Sequence, residues 1–249
     1  MVLFCGKIPF MIDVNHNFYE DVKDIPKNKK HDPDSKSREL WNYHRLIWDK
    51  KVPNKSFPDR RFVLDEYLHC KSFDIKFGVD CFLNLYLSHT KPIIKNIVDK
   101  AYEGKEKERF QEPPYTIGAS LIFPKCGTNS INSRRGCNSK IRDRIDLTLE
   151  CIRRYYTNEH PNPLKKHLQA NKNFFDLFVT FEQYIEFFLL QDFVSKDLKR
   201  VNFFLPFDNF QSDGYPKNIH EWKTLHDTLI KLVKARNKRI DDYCRLNDI

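Results

Sequence analysis

Short apolar segments dominate the first half of the chain, and their spacing favours strands. Residues 2–14 are predicted to form one or two strands. Residues 61–87 are predicted to add more β-structure, with a turn at Gly78. Residues 115–123 form an almost continuous apolar run, which is typical of a buried central strand. A last strand is predicted over residues 201–207.

Apolar residues recur at intervals of three and four over five longer stretches, which predicts helices. Ser35 or Ser37 can cap the first of these, which ends before Pro53. The others are predicted over residues 92–102, 140–156, 174–194 and 218–246. The 174–194 stretch is apolar on most sides, so it is predicted to be the central buried helix.

These elements predict an α+β fold with a mixed sheet and a large helical C-terminal half. The 21 phenylalanines indicate a core built largely from aromatic rings, and the 7 glycines argue against a dinucleotide-binding fold. Residues 1–249 are predicted to form one domain. The charged, proline-ended stretch 104–114 is the best candidate for a subdivision.

The richest polar segment is INSRRGCNSKIRDRIDLTLECIRRYY, residues 131–156. It is predicted as a polar loop closed by Gly136 and followed by a helix, an arrangement that favours anion binding at the helix N-terminus. Forked guanidinium and ammonium donors suit phosphate. The candidate nucleic-acid-binding residues are Arg134, Arg135, Lys140, Arg144, Arg153 and, from the earlier helix, Arg45.

Asp143, Asp146 and Glu150 fall on the helix face opposite the apolar one. Like charges along one stripe repel unless arginines or a substrate lie opposite, so the three are candidate catalytic acids or bases. Two other interpretations remain open. The stripe is a solvated face of i,i+4 ion pairs with neighbouring arginines, or its carboxylates share a hard cation.

Two histidines are candidate proton carriers. His44 lies on the apolar face of its helix, where it is either an acid or base or a core histidine with one hydrogen bond. His69 precedes Cys70 on a predicted strand, so the two side chains diverge. Glu182 and Glu186 are one turn apart on the apolar 174–194 stretch. They either have raised pKa values through burial, or lie at its edge, or pair with an arginine of the segment Arg134 to Arg154.

A formal charge of +9 and a pI near 9.1 favour polyanionic partners, RNA above all. The last predicted helix is basic and either lies along a phosphate backbone or presents a solvated face; its cations are Lys231, Lys234, Arg236, Lys238 and Arg239.

The seven cysteines include no CxxC pair, which predicts free thiols in a reducing compartment and no structural zinc. No apolar run approaches the ~18 residues of a membrane helix, so a cytoplasmic protein is expected.

The chain resembles an uncharacterised bacterial family of domains of unknown function, from about His31 to Ile240. The resemblance rests on the segments DSKSRELWNYHRLIWDKKVPN, YLHCKS, YTIGASLIFP, INSRRGCNSKIRDRIDLTLECIRRYY, FFLLQD, FFLPFDNF and RNKRI. The family has a proline where Lys51 stands and a glycine where Lys55 stands, so the turn after Trp48 is expected to differ. The resemblance implies a single intracellular domain and no particular activity.

Three functions follow as hypotheses. The first is an effector acting on nucleic acid, a toxin or phage-defence enzyme that cleaves phosphodiesters or transfers ADP-ribose from NAD, with an antitoxin or another protein as partner. Its catalytic residues would be Glu150, Asp146, Asp143, His44 and His69. The second is a non-catalytic module that binds nucleic acid or protein. The third is a metal-dependent hydrolase built on the three carboxylates.

Overall fold

The computed structural model describes residues 11–26, 32–82, 92–103, 114–125, 127 and 130–249. The helices are α1 Pro33–Lys36, α2 Arg38–Ile47, α3 Pro92–Ala101, α4 Ile131–Cys137, α5 Ile145–Thr157, α6 Lys165–Ala170, α7 Lys172–Phe175, α8 Phe181–Phe187 and α9 Ile219–Leu246. The strands are β1 His69–Cys70, β2 Ile75–Cys81 and β3 Ser120–Lys125.

The three strands form one small sheet in the order β1-β2-β3, and both pairings are antiparallel. The predicted α+β class is confirmed. The sheet was predicted to be mixed, but every described pairing is antiparallel. Most of β2 and β3 is buried, so this small sheet lies inside the molecule rather than on its surface.

Gly78 does not form the predicted turn. It lies inside β2, paired with Phe123 of β3. A β-carbon at this position would stand 2.4 Å from Lys125 Cε and 3.2 Å from Asn132 Nδ2. The glycine therefore makes room for two polar side chains that cross the strand, and conformational freedom is not the reason for it.

Helix starts were predicted best where a polar cap precedes an amphipathic stretch. Ser37 Oγ accepts from the Leu40 amide at the start of α2, and Asn218 Oδ1 accepts from Glu221 at the start of α9. The structure also places α3 at Pro92–Ala101, within one residue of the prediction.

The polar segment is folded differently from the prediction. Its supposed loop contains α4, and α5 begins at Ile145 instead of residue 140. Arg142 and Asp143 have φ values of 50° and 61°, in the left-handed region, so the chain cannot continue as a helix through them.

Residues 174–194 are not one helix. They contain the end of α7, all of α8 and a 3-10 turn at Gln191–Phe193. Val179 and Leu189 adopt φ values of 59° and 51°, which end the helical segments. Residues 201–207 are irregular apart from a single bridge between Val194 and Val201.

Three other predicted strands also fail in part. Residues 11–14 are irregular, and residues 2–10 lie outside the described residues. Residues 62–64 are irregular after a single bridge between Lys51 and Arg61. In the 115–123 run, a 3-10 turn at Ile117–Ala119 precedes β3.

The predicted aromatic core is confirmed. Its densest part joins α7 and α8, where Phe174, Phe178 and Phe188 pack edge-on or tilted at centroid distances of 5.1 to 6.1 Å. One apolar cluster includes residues from Ile12 to Cys244, on both sides of 104–113. Those ten residues lie outside the described residues, so the single-domain organisation stays a prediction. Cys70, Cys81, Cys151 and Cys244 are buried free thiols, as predicted.

A fully buried arginine joins helix α9 to the beginning of β3 through hydrogen bonds. Arg236 donates to the carbonyl oxygens of Gly118 and Ser120 at 3.1 and 2.7 Å, and to those of Phe188 and Leu189 at 3.0 and 3.2 Å. It binds no carboxylate among the described residues. Burial lowers its pKa to about 9.

Among the described residues, no helix combines the length and apolar character that a bilayer span requires.

Candidate active-site cleft

A buried arginine holds two carboxylates from different elements. Arg135 of α4 is fully buried, and its Nη1 donates to Asp80 Oδ2 on β2 and, at 3.4 Å, to Asp143 Oδ1. Its Nε donates to Thr148 Oγ1 at 3.1 Å, and its Nη2 donates to the Asp143 carbonyl. The guanidinium therefore fixes both aspartates relative to one another.

The local sequence explains why Asp143 turns back towards α4. Its left-handed backbone reverses the chain, and its amide donates to the Arg135 carbonyl at 3.3 Å. Gly136 leaves space for the returning carboxylate, because a β-carbon there would stand 2.7 Å from Asp143 Oδ1. Arg135, Gly136 and Asp143 thus form one local unit.

Burial raises the pKa of Asp80, since a carboxylate is disfavoured away from water. The charge of Arg135 opposes this shift and that of Asp143 adds to it. The pKa of Arg135 is itself raised by both aspartates, although burial works against its charge. One guanidinium thus faces two carboxylates, and Asp80 binds a proton more readily than an isolated aspartate does.

Asp80 and Asp143 line an open cleft of about 710 Å³ between β2, α4 and the region of α1. This volume is in the range of small-molecule sites, ~300–1,000 Å³. The described lining carries four carboxylates, those of Asp32, Asp34, Asp80 and Asp143. The lining also includes Trp41, Tyr67, Lys125 and Asn132. In this described part of the lining, Lys125 is the only cationic residue, and it is exposed.

Two of the lining side chains are positioned by β2. Asn132 Nδ2 donates to the Val79 carbonyl at 2.8 Å, which fixes the orientation of its amide. Lys125 ends β3 and lies across Gly78, in the space that a β-carbon would take. The cleft thus presents an amide and an ammonium group close to the carboxylate of Asp80.

The other two carboxylates predicted to be catalytic are engaged elsewhere. Asp146 is fully buried and accepts from Arg144, with Nε to Oδ1 at 3.0 Å. Its Oδ2 also accepts from the Phe204 amide at 3.0 Å. Glu150 accepts from Arg153 Nε at 2.8 Å and from Arg154 Nε at 2.6 Å.

The interpretation of this stripe as a solvated face was therefore wrong for α5. Its expected i,i+4 ion pair between Glu150 and Arg154 is present, whereas Asp146 pairs with Arg144 instead of Arg142. Asp146, Glu150, Arg144 and Arg154 are buried, and each carboxylate of the stripe is held by a different arginine or pair of arginines. The carboxylates of Asp143, Asp146 and Glu150 do not converge as a shared ligand set. Among the described residues, no group of three or more His, Cys, Asp or Glu side chains is placed to hold a metal ion.

A family model described as "Family of unknown function (DUF6994)" matches residues 12–240. The chain belongs to this family. The expected resemblance to a family of unknown function is thereby confirmed. No curated protein and no solved structure matches the chain. All the described residues of the cleft fall within the DUF6994 match.

In this DUF6994 chain His44 is a core residue. It is fully buried, its Nδ1 accepts from Trp48 Nε1 at 2.8 Å, and its Nε2 is therefore the donor to Ser120 Oγ at 2.9 Å. Burial lowers its pKa to about 3, so the imidazole is neutral. His69 lies nearer the surface and contacts Asp74 at 3.1 Å. Neither histidine lines the cleft.

The predicted phosphate-binding residues are also dispersed. Arg135 and Arg144 are buried in ion pairs, and Arg153 pairs with Glu150 and Glu159. Arg45 donates to the Leu64 carbonyl at 3.3 Å. Lys140 donates to the Gln211 carbonyl and, with Arg144, lines a separate cavity of about 200 Å³. Arg134 is partly buried on α4.

Of the predicted acids, Asp143 lines the cleft. Asp80, Lys125 and Asn132 also line the cleft, but the sequence did not predict them as site residues. A usable signal for Asp80 was present, since a charged residue in the otherwise apolar run Val79–Phe82 must find a partner when the strand is buried.

Glu186 is exposed and Glu182 is half-buried, so the interpretation that these two lie at an edge is confirmed.

Proposed function

We propose that this protein is an enzyme that transfers ADP-ribose from NAD to water or to a hydroxyl group of a nucleic acid. The observation behind the proposal is the pair Asp80 and Asp143, bound to one nitrogen of buried Arg135 in the wall of a ligand-sized cleft. Paired carboxylates in different environments suit acid–base chemistry, and burial raises the pKa of Asp80, the more buried of the two.

The charge of the cleft supports one of the two reactions expected from the sequence more than the other. Phosphodiester cleavage builds up negative charge on a phosphoryl group. The described lining would oppose that charge, because its four carboxylates outnumber exposed Lys125 together with buried Arg135. Breaking a ribosyl C1′–N bond instead develops positive charge on the sugar, as in glycoside hydrolysis. A carboxylate near that carbon stabilises the charge, so the cleft favours ribosyl transfer.

Each aspartate has a role in this scheme. Asp143, the more exposed of the two at 24% of its side chain, stabilises the developing ribosyl cation. Asp80, whose raised pKa makes it a stronger base than an ordinary aspartate, takes the proton of the attacking hydroxyl. The C1′–N bond breaks with its electron pair leaving on nicotinamide, and the acceptor oxygen bonds to C1′.

The remaining cleft residues fit the other parts of NAD. Tyr67, 66% exposed, and Trp41 offer ring faces for a base or for nicotinamide. Lys125 offers a cation for the diphosphate. Asn132 offers an amide for a sugar hydroxyl or a carboxamide.

The test is to incubate the protein with NAD and to measure nicotinamide release by chromatography, with and without added RNA. Asp143→Asn and Asp80→Asn are each expected to lower kcat by about 10² or more, since general acid–base groups contribute ~10²–10⁴. Asp241→Asn, which removes a carboxylate from a surface pair with Arg245, is the matched control and should retain the full rate. Lys125→Ala should raise KM for NAD more than it lowers kcat.

The pH profile separates the roles. A base must be deprotonated, so the rate should fall as pH drops through the raised pKa of Asp80, and Asp80→Asn should remove that limb. Absence of nicotinamide release at every pH would overturn the proposal. So would equal rates for folded wild type and Asp143→Asn.

A second candidate function is nucleic-acid binding without catalysis. Lys231, Lys234 and Lys238 are exposed at intervals of three and four on α9, so they form one cationic stripe. Such a stripe suits contacts with a phosphate backbone. Its binding would persist in Asp143→Asn, whereas the ribosyl transfer would not.

A further inference from the structure

A second cavity lies between the starts of α5 and α9 and the irregular segment 203–217. Its volume is about 200 Å³. This is below the ~300–1,000 Å³ of sites for drug-sized ligands, so the cavity suits a compact molecule. The described linings of this cavity and of the cleft share no residue. A ligand bound here therefore need not take part in the proposed ribosyl transfer.

The segment 203–217 forms one wall of the cavity and is anchored at two points to the beginning of α5. The Phe204 amide donates to Asp146 Oδ2 at 3.0 Å. Further along the segment, Arg144 Nη1 donates to the Gly214 carbonyl at 3.3 Å. The wall is thus held in place by two buried side chains, Arg144 and Asp146.

Part of the lining is apolar. Leu147, Leu205 and Phe210 are buried, and Phe207 is partly buried. The rings of Phe207 and Phe210 meet edge-to-face with their centroids 5.0 Å apart. A hydrocarbon group of a ligand would be removed from water against these side chains, which favours its binding.

The charged part of the lining holds equal numbers of cations and acids. These side chains are Lys140, Arg144, Lys217, Asp208, Asp213 and Glu221. Arg144 is paired with Asp146. Asp213 is paired with Arg142 at 3.0 Å. The two lysines and the other two acids have no ion-pair partner among the described residues.

The lysines and Asp208 keep hydrogen-bonding capacity for a ligand. Lys217 Nζ donates to Ser212 Oγ at 3.1 Å, and Lys140 Nζ donates to one backbone carbonyl, so both ammonium groups have donors left. Asp208 accepts from two backbone amides at 2.8 and 3.1 Å, which leaves lone pairs for another donor. Hydrogen bonds from Ser212 and, less strongly, the charge of Lys217 lower the pKa of Asp208, so it is ionised at neutral pH.

We propose that this cavity binds a free α-amino acid with an apolar side chain. The ligand carboxylate accepts from Lys140 and Lys217, and the ligand ammonium donates to Asp208. The ligand side chain packs against the apolar part of the lining. A zwitterion complements a lining with equal numbers of opposite charges, whereas a simple anion or a simple cation complements only half of it.

The test is isothermal titration calorimetry of the full-length chain with L-leucine and with L-phenylalanine. Each amino acid is compared with the amine that lacks its carboxylate, 3-methylbutylamine or phenethylamine, and with the acid that lacks its ammonium, 4-methylpentanoate or 3-phenylpropanoate. Each analogue is expected to bind at least about tenfold more weakly, because a charged group of the cavity loses its hydrogen-bond partner. Absence of binding by both amino acids overturns the proposal, and so does equal binding of either kind of analogue.

Variants of the cavity assign each charge. Lys217→Met should weaken binding of the amino acid about tenfold without weakening that of the amine, which has no carboxylate for Lys217. Asp208→Asn should weaken the amino acid similarly without weakening the deaminated acid. Lys196→Met, at an exposed lysine outside the lining, is the matched control and should bind as wild type does. Wild-type affinity of folded Lys217→Met or Asp208→Asn for the amino acid would also overturn the proposal.

Discussion

A β-carbon added at Gly136 would displace a carboxylate of the candidate site directly. The missing β-carbon leaves room for the carboxylate of Asp143, 2.7 Å from where that carbon would stand. Because Gly136 is inside α4, alanine would favour the helix by about 1 kcal/mol while pushing the carboxylate aside.

Gly136→Ala is therefore expected to keep or raise the melting temperature and to lower nicotinamide release by about 10²-fold, the loss typical of a catalytic group misplaced by ~1 Å. Ser139→Ala, an exposed position three residues further on, is the control and should change neither quantity. If Gly136→Ala released nicotinamide at the wild-type rate, the position of Asp143 would be irrelevant to the reaction.

At the residue scale, Arg135 and Asp143 were both predicted from the sequence to be functional residues, but the contact between them was not predicted. Periodicity places charged residues on a helix face, and it cannot say that Asp143 lies in a left-handed turn before the helix. Asp80 was missed because its partner, Arg135, is 55 residues away along the chain. Only the tertiary fold brings these three side chains together.

Among the elements, α9 has the clearest energetic role. Arg236 supplies donors to four buried carbonyl groups, and no other described residue replaces it there. Each carbonyl left without a donor costs about 1–3 kcal/mol, offset in part by removing a buried charge.

Arg236→Leu is expected to reduce the free energy of unfolding by about 3 kcal/mol. Urea denaturation measures this change. Lys234→Leu, at an exposed position of the same helix, should stay within about 0.5 kcal/mol of wild type. Equal stability of the two variants would mean that water or a shifted backbone satisfies the carbonyls.

Elements were predictable where local chemistry decides them. Ser37 and Asn218 cap long amphipathic helices, and both starts were found. Residues 174–194 were mispredicted as one helix because an apolar stretch looks the same whether it continues or breaks. The breaks at Val179 and Leu189 are left-handed non-glycine residues, which no local propensity predicts.

In the whole molecule, charge is unevenly distributed. The chain has a net charge of +9, yet the described lining of its cleft has an excess of carboxylates. The positive charge of the stripe Lys231, Lys234 and Lys238 lies outside that lining. The phosphate backbone of a polyanion is therefore expected to bind outside the cleft that takes the small ligand.

RNA binding by this stripe should weaken as salt rises. Replacing the three lysines with glutamine should reduce the slope of log K against log salt by about 2, because each phosphate contact on a single strand contributes about 0.7. Fluorescence anisotropy with a labelled single strand measures it.

The charge-matched control replaces Lys55, Lys71 and Lys196, exposed lysines dispersed over the chain, with glutamine. A specific stripe predicts that this control retains the wild-type slope more closely than the α9 variant does. Identical slopes for both triple variants would show that only net charge matters.

The contacts of Arg236 also bear on how the chain reaches its native state. The hydrogen bond from Arg236 to Gly118 joins positions 118 residues apart, and its neighbour Asn237 accepts from the Gly118 amide at 2.6 Å. Contacts of such sequence separation form only after a large loop has closed, and the entropy of that closure slows folding. Until α9 docks, the polar backbone that leads into β3 has to stay hydrated. Strand β3 and the last helix are thus expected to become native in one cooperative step, although 118 residues separate Gly118 from Arg236.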